Sequence, residues 1–356
     1  MTIKKIMVVI ICFFGLILSG FASSSGVLNI VPDAETTSVA GSYNYITGNI
    51  WNVYYNQAGL SKISDVVASA SYKRVMNLFN YANLAAGFPL VKGFGAVGIS
   101  FLDYGNTPLV TTFDGSTGLP VEGNTFYAYD FLVSVGYAYS LKNLGLNVGA
   151  GVKFLQNDIA NNRVFYSAAD LSIMESFLGD LSFGLNVRNI GVGINTVSDL
   201  PLNGSFGFSL PSKFLYKSGN DSTKFILGGQ VNFNIVPSAI NTVYGMASIK
   251  ILFKNIFHIN SGVVLGRNDV FIRFSSIGAG YSPMKNISVD YAYSQDADNI
   301  GFNHTLTLTY YPFNSISPKL KKTSEKSLTS PDTKKTTSLK EEQKVIKENQ
   351  NEDWGD

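Results

Sequence analysis

From about residue 65 to residue 313 the chain alternates, apolar side chains at every second position and small or polar ones between. The clearest run is 300–313. Ile300, Phe302, His304, Leu306, Leu308 and Tyr310 fall on one face, and Gly301, Asn303, Thr305, Thr307 and Thr309 on the other. A strand turns successive side chains to opposite faces, so this segment has one apolar and one small polar face. About ten such residues, tilted, span a bilayer. Taken alone, the run fits two structures equally: the closing strand of a membrane barrel, or a half-buried strand of a soluble sandwich.

Counting by phase predicts about fourteen strands. The first two cover 66–75 and 79–91, and the third 94–102. A connection rich in Gly, Thr and Pro follows, over 103–125. The fourth strand puts Phe131, Val133, Val135, Tyr137 and Tyr139 on one face, and the fifth Val148, Ala150, Val152 and Phe154. A polar loop over 156–162 leads to the sixth, 164–177. The seventh carries Leu181, Phe183, Leu185 and Val187 and ends at Asn189-Ile190-Gly191. The eighth lies near 204–210. Strands nine to eleven follow from Phe225, Val243 and Phe257. In the twelfth the apolar phase slips by one at Ser275-Ser276, as a β-bulge would make it. The thirteenth carries Ile287, Val289, Tyr291 and Tyr293. An even count suits a bacterial barrel. Connections after strands three, five and seven read as long and those after two, four, six and ten as short, the asymmetry of such barrels. The stretch 211–222 breaks that rule.

Composition tips the balance between barrel and sandwich. Of 356 residues, 45% are apolar and 15% charged, below the quarter or so usual for a soluble domain. Residues 1–22 read as a secretory signal, with Lys4 and Lys5, an apolar run from Ile6 to Leu18, and the small-x-small triplet Gly20-Phe21-Ala22. Cys12, the single cysteine, falls within it. The exported chain then has no disulfide, thiol catalyst or cysteine zinc site. A net charge of +2 implies no nucleic-acid partner. Export combined with alternation favours the membrane barrel.

Residues 23–64 do not alternate and contain Tyr54-Tyr55-Asn56-Gln57-Ala58-Gly59-Leu60. Such a run soon after a signal resembles the PorV/PorQ-type outer-membrane proteins, relatives of the FadL fatty-acid transporters. Gln57 stands where that family usually has Pro. Asn189-x-Gly191 and Leu200-Pro201 are further similarities. The resemblance implies an antiparallel transmembrane barrel over 65–313 whose segment 23–64 folds into the lumen as a plug. It places gating at Asn56, Gln57, Ala58 and Gly59. The alternative is a surface loop leading into the first strand. Residues 314–356, rich in Lys, Ser, Thr and Glu, read as a disordered charged tail. An even strand count sets both termini in the periplasm.

A cation on the lipid face at mid-membrane costs about 2–4 kcal/mol. The strands accordingly put Asp130, Lys153, Arg188, Lys224, Lys250, Arg273 and Asp290 on the polar face. Mixed with apolar residues, that face suits a greasy ligand with an acidic head, held at Lys153, Arg188 or Arg273. The plainer alternative is that these cations pair with Asp130, Asp290 or plug carbonyls and hold the structure together. His258 and His304, the two histidines, form no metal-spaced cluster, and no nucleophile-base pattern or phosphate loop is visible, so neither an enzyme nor a cofactor is expected. The FadL resemblance implies uptake of hydrophobic small molecules such as fatty acids across the outer membrane. The PorV resemblance implies instead a barrel that binds envelope or secretion proteins. A structural barrel in contact only with outer-membrane lipids is the third reading.

Overall fold

The computed structural model describes residues 26–312 except 118–119, 178–180, 197–199, 212–222, 236–241, 255, 268–269, 285 and 296–300. The leader over 1–22 and the tail over 314–356 lie outside the described residues. Fourteen strands form the wall: β1 (Val67–Val75), β2 (Phe79–Leu90), β3 (Gly93–Phe113), β4 (Pro120–Leu141), β5 (Leu146–Ile159), β6 (Asn162–Phe177), β7 (Leu181–Gly193), β8 (Leu202–Pro211), β9 (Thr223–Ile235), β10 (Thr242–Phe253), β11 (Phe257–Arg267), β12 (Val270–Met284), β13 (Ile287–Gln295) and β14 (Phe302–Tyr310). Each pairs antiparallel with its neighbour in sequence. The cylinder closes where β14 meets β1, with Ala68 opposite Tyr310 and Arg74 opposite His304.

Burial decides between barrel and sandwich. Along β14 the buried residues are Asn303, Thr305, Thr307 and Thr309, whereas Phe302, Leu306, Leu308 and Tyr310 are exposed. β1 and β2 repeat the inversion, burying Ser69, Ser71, Lys73 and Asn83 while exposing Tyr72, Leu84 and Phe88. Leaving one large apolar side chain in water forgoes about 1.5–3 kcal/mol, and here the forfeit is repeated around the whole wall. The outer face is built for a solvent other than water, which excludes the soluble sandwich. The apolar belt and closed edge are those of an outer-membrane barrel.

The bulge expected in the twelfth strand is present. Gly262 pairs with Ser276 and Val263 with Phe274, so Ser275 is the extra residue. Three connections differ from expectation. Most of 103–125 is paired: β3 and β4 extend to Phe113 and Pro120, and register shifts between Asp103 and Gly105 and between Pro108 and Val110 accommodate the irregular residues. Bulges break the two-residue phase that makes a strand visible in sequence. The polar stretch 156–162 is likewise paired up to Ile159 and from Asn162. Only Ala160 and Asn161 turn the chain, both at positive φ, the geometry of a two-residue hairpin. The connection after the fifth strand is therefore short. The seventh strand continues past Asn189, which has φ 62°. Across from it, Leu171 pairs with Val187 and Ala169 with Ile190, so Arg188 and Asn189 together face Asp170.

Residues 26–64 occupy the lumen. They form 3-10 turns at Gly26–Asn29, Ile50–Val53 and Gln57–Lys62 and one short helix, α1 (Ala34–Ser38). Asp33 caps α1 by accepting from the Thr36 N–H. Having little regular structure, this segment leaves its backbone groups to wall side chains. Ser172 accepts from Ala58 N, Ser134 donates to Val53 O, Gln230 accepts from Asn44 N and Ser71 donates to Pro32 O. Wall glycines make room for it. A Cβ at Gly149 would collide with the backbone of Gln57 and Ala58, one at Gly184 with Asn44, and one at Gly262 with Val39 and Ala40.

Candidate functional site

Between the segment 26–64 and the wall lies a cavity of about 510 Å³. Tyr43, Tyr55 and Tyr104 line it together with Lys73, Lys153 and Arg188. Its cations sit differently. Lys153 Nζ is 2.7 Å from Asp170 Oδ2 and donates to Asn189 Oδ1 at 3.1 Å, and both charged groups are buried. Asp170 also accepts from Gln57 Nε2 at 3.1 Å and from the Asn189 N–H at 2.8 Å. The bulge at Arg188 and Asn189 makes this possible, since the carboxylate replaces the ladder partner that Asn189 loses. Lys153 is therefore a satisfied cation and Asp170 the centre of a knot joining the wall to the segment 26–64.

Arg188 projects from the same bulge. Its guanidinium carbon lies 4.8 Å from the centre of the Tyr43 ring, a cation–π distance. Its Nε is buried without a hydrogen-bond partner. Tyr43 is in turn held by Ser205 at 3.2 Å. A buried, unsatisfied guanidinium donor costs free energy, and an acidic group in the cavity would recover it. Lys73 donates to Val31 O at 3.0 Å and Thr37 Oγ1 at 3.2 Å.

The fold does not match by sequence to any family model, and no curated protein matches the chain. In three dimensions it does match. The barrel is similar to that of TodX, the toluene transporter of P. putida. The TM-score is 0.52 at 9% identity, over 78% of this chain and 98% of that one. A Pseudomonas aeruginosa FadL homologue aligns with a TM-score of 0.49 at 10% identity, over 82% and 100% of the two chains. At such identities the likeness to TodX is one of fold.

The residues expected from sequence divide accordingly. Lys153 and Arg188 meet at one cavity. Arg273 lies on β12 opposite Val264, and its side chain falls outside the described residues. Asn56, Gln57, Ala58 and Gly59 are all buried within the lumen. Gln57, the departure from Pro, donates to Val53 O at 3.1 Å as well as to Asp170. Proline could make neither bond. Gly59 leaves room for Asn52, whose amide donates to Ile46 O at 2.9 Å. Asp170 and Asn189 carry the geometry: alternation turns Asp170 inward without showing what it meets, and it would turn Asn189 outward with Val187, so that only the bulge brings Asn189 into the lumen. Among the described residues no cluster of His, Cys, Asp and Glu could hold a metal ion.

A second polar knot fastens α1. Asp33 accepts from the Tyr55 hydroxyl at 2.5 Å, and burial, partly offset by this bond, pushes its carboxyl up to about 6. Burial also acts on Glu35, but the charges of Lys250 and His258 outweigh it and hold that carboxyl below its usual range. Glu35 pairs with Lys250 on β10, and His258 Nε2 lies 3.1 Å from Asp290 on β13.

Proposed function

We propose that this chain is an outer-membrane channel of FadL type that takes up hydrophobic small molecules bearing an acidic head, such as fatty acids. The observation that carries the reading is the cavity at Arg188, a tyrosine-walled space with an unpaired guanidinium nitrogen inside an apolar-belted barrel. Its fold is shared with a protein described as a toluene transporter. The ligand's chain would lie against the tyrosines and its carboxylate would accept from Arg188. Lys153, neutralised by Asp170, positions the bulge that presents Arg188. Residues 23–64 act as the plug, and Asn56, Gln57, Ala58 and Gly59 set its seat. The even strand count supports both termini in the periplasm. No chemical step is assigned to the chain.

The test is binding of decanoate and decanol to the purified protein in detergent, followed by native mass spectrometry. Decanoate binds the natural protein, and Arg188→Met weakens it about tenfold, equivalent to about 1.4 kcal/mol, leaving decanol unchanged. If neither ligand binds the natural protein, the reading fails. The motif over 54–60 and the PorV/PorQ resemblance support a second reading, a barrel that holds envelope or secretion proteins. Capture of such proteins that persists in Arg188→Met, with no ligand bound, would favour it.

A further inference from the structure

We propose that the outer wall carries a binding site for the phosphate of a membrane lipid, built on Arg74 of β1 and His304 of β14. It rests on the membrane placement above and is independent of the cavity. The two residues are direct register partners across the seam that closes the barrel. Their parity is that of Tyr72, Leu306 and Leu308, so both point away from the lumen.

Each is held by a neutral neighbour. Arg74 donates through Nη1 to Asn80 Oδ1, which also accepts from the Tyr72 hydroxyl at 2.7 Å. His304 Nδ1 lies 2.7 Å from the Tyr291 hydroxyl. When Tyr291 donates, the histidine's other nitrogen carries the hydrogen. Among the described residues no carboxylate pairs with Arg74, so its charge and its remaining donors are uncommitted. Aromatic rings frame the pair: Tyr293 packs edge-on against His304 and stacks on Phe302.

Height along the barrel identifies the ligand. On β2 the outward residues below Asn80 are Ala82, Leu84, Ala86, Phe88 and Leu90, all apolar and exposed. The ten steps from Asn80 to Leu90 measure about 34 Å along the strand. At a tilt near 40° they rise about 26 Å, the height of the lipid-facing band of such barrels. Arg74, Asn80 and His304 thus stand at one edge of the belt, at headgroup level. There a cation escapes the mid-membrane penalty, and fixed guanidinium and imidazole donors side by side match a phosphate monoester.

The test is native mass spectrometry of the full chain in detergent with dioctanoyl phosphatidic acid, dioctanoylglycerol or inorganic phosphate. The expected result is one tightly retained phosphatidic acid, not displaced by excess phosphate, with no retained dioctanoylglycerol. Arg74→Gln combined with His304→Gln lowers retention at least tenfold, and Arg74→Lys restores part of it. Equal retention of the two lipids, displacement by free phosphate at parity, or full retention by the double variant would overturn the proposal. The two-lipid comparison on the natural protein stands even if a variant does not fold. A chain that stayed dissolved without detergent would instead refute the membrane placement itself.

Discussion

Thr307 and Leu308 are neighbours in one strand and live in different solvents. The threonine is 3% exposed and its hydroxyl is bonded to Ser71 and the Ala34 N–H, whereas the leucine is 50% exposed and its side chain has no polar atom to bond. The contrast holds around the cylinder. Outside, apolar side chains form a belt with little need of fit beyond size. Inside, serines, asparagines and glycines follow the shape of residues 26–64, and a change of one methyl group meets backbone. The outer face is specified by chemistry and the inner face by shape. The two should therefore respond oppositely to the same substitution.

The largest contrast is between two ion pairs. Asp170→Ala strips a buried lysine of its carboxylate, which typically costs about 3–5 kcal/mol. It should lower the urea midpoint of the purified barrel sharply and open the Gln57 turn to protease. Arg163 is 62% exposed and its partner Asp158 keeps the Tyr129 hydroxyl at 3.3 Å, so Arg163→Ala should shift the same unfolding curve far less. Next comes Leu308→Lys, which sets a cation in the belt at about 2–4 kcal/mol and should reduce the folded, fast-migrating band on unheated gels.

The segment within responds to pH. Asp33 is pushed up to about 6 from 3.8 when docked. The docked state therefore binds the proton more tightly than the released one. Its stabilisation is complete below about 4 and is lost as pH rises to about 6, by up to roughly 3 kcal/mol. Protease cleavage between residues 26 and 64 should accordingly increase from pH 4 to 6 and level off above, and Asp33→Asn should flatten the profile. The smallest effect separates adjacent residues of β5. Gly149→Val drives a side chain into Ala58 and should cost about 1–3 kcal/mol, seen as easier plug cleavage, whereas Ala150→Val on the outer face should change nothing measurable.

This difference between faces also explains what could be read from the chain. Strand number, the inward parity of Lys153 and Arg188 and the bulge at Ser275 are all consequences of a two-residue period, which sequence displays directly. The hairpins over 103–125 and 156–162 look like loops in the sequence because their strands carry polar, Gly and Pro residues and bulges that break the alternation. Asp170 and Asn189 are hidden in the sequence for another reason. Parity says that Asp170 faces inward but would turn Asn189 outward, and which inward residues meet depends on register, on a bulge at a positive-φ asparagine, and on the path of the irregular segment 26–64. The pairing of Lys153 with Asp170, rather than Asp130 or Asp290, is knowable only from that assembly.

The claim on which the rest depends is that alternate residues of each strand face lipid and a filled lumen. Cys12 is the single natural cysteine, so with Cys12→Ser as background, cysteines introduced one at a time at 303–309, in protein reconstituted in bilayers, carry spin labels without competition. Relaxation by oxygen, which partitions into lipid, should peak at 306 and 308. Relaxation by a water-soluble nickel chelate should stay low there, and both should be low at 305 and 307. High nickel accessibility at 306 and 308 would contradict the account.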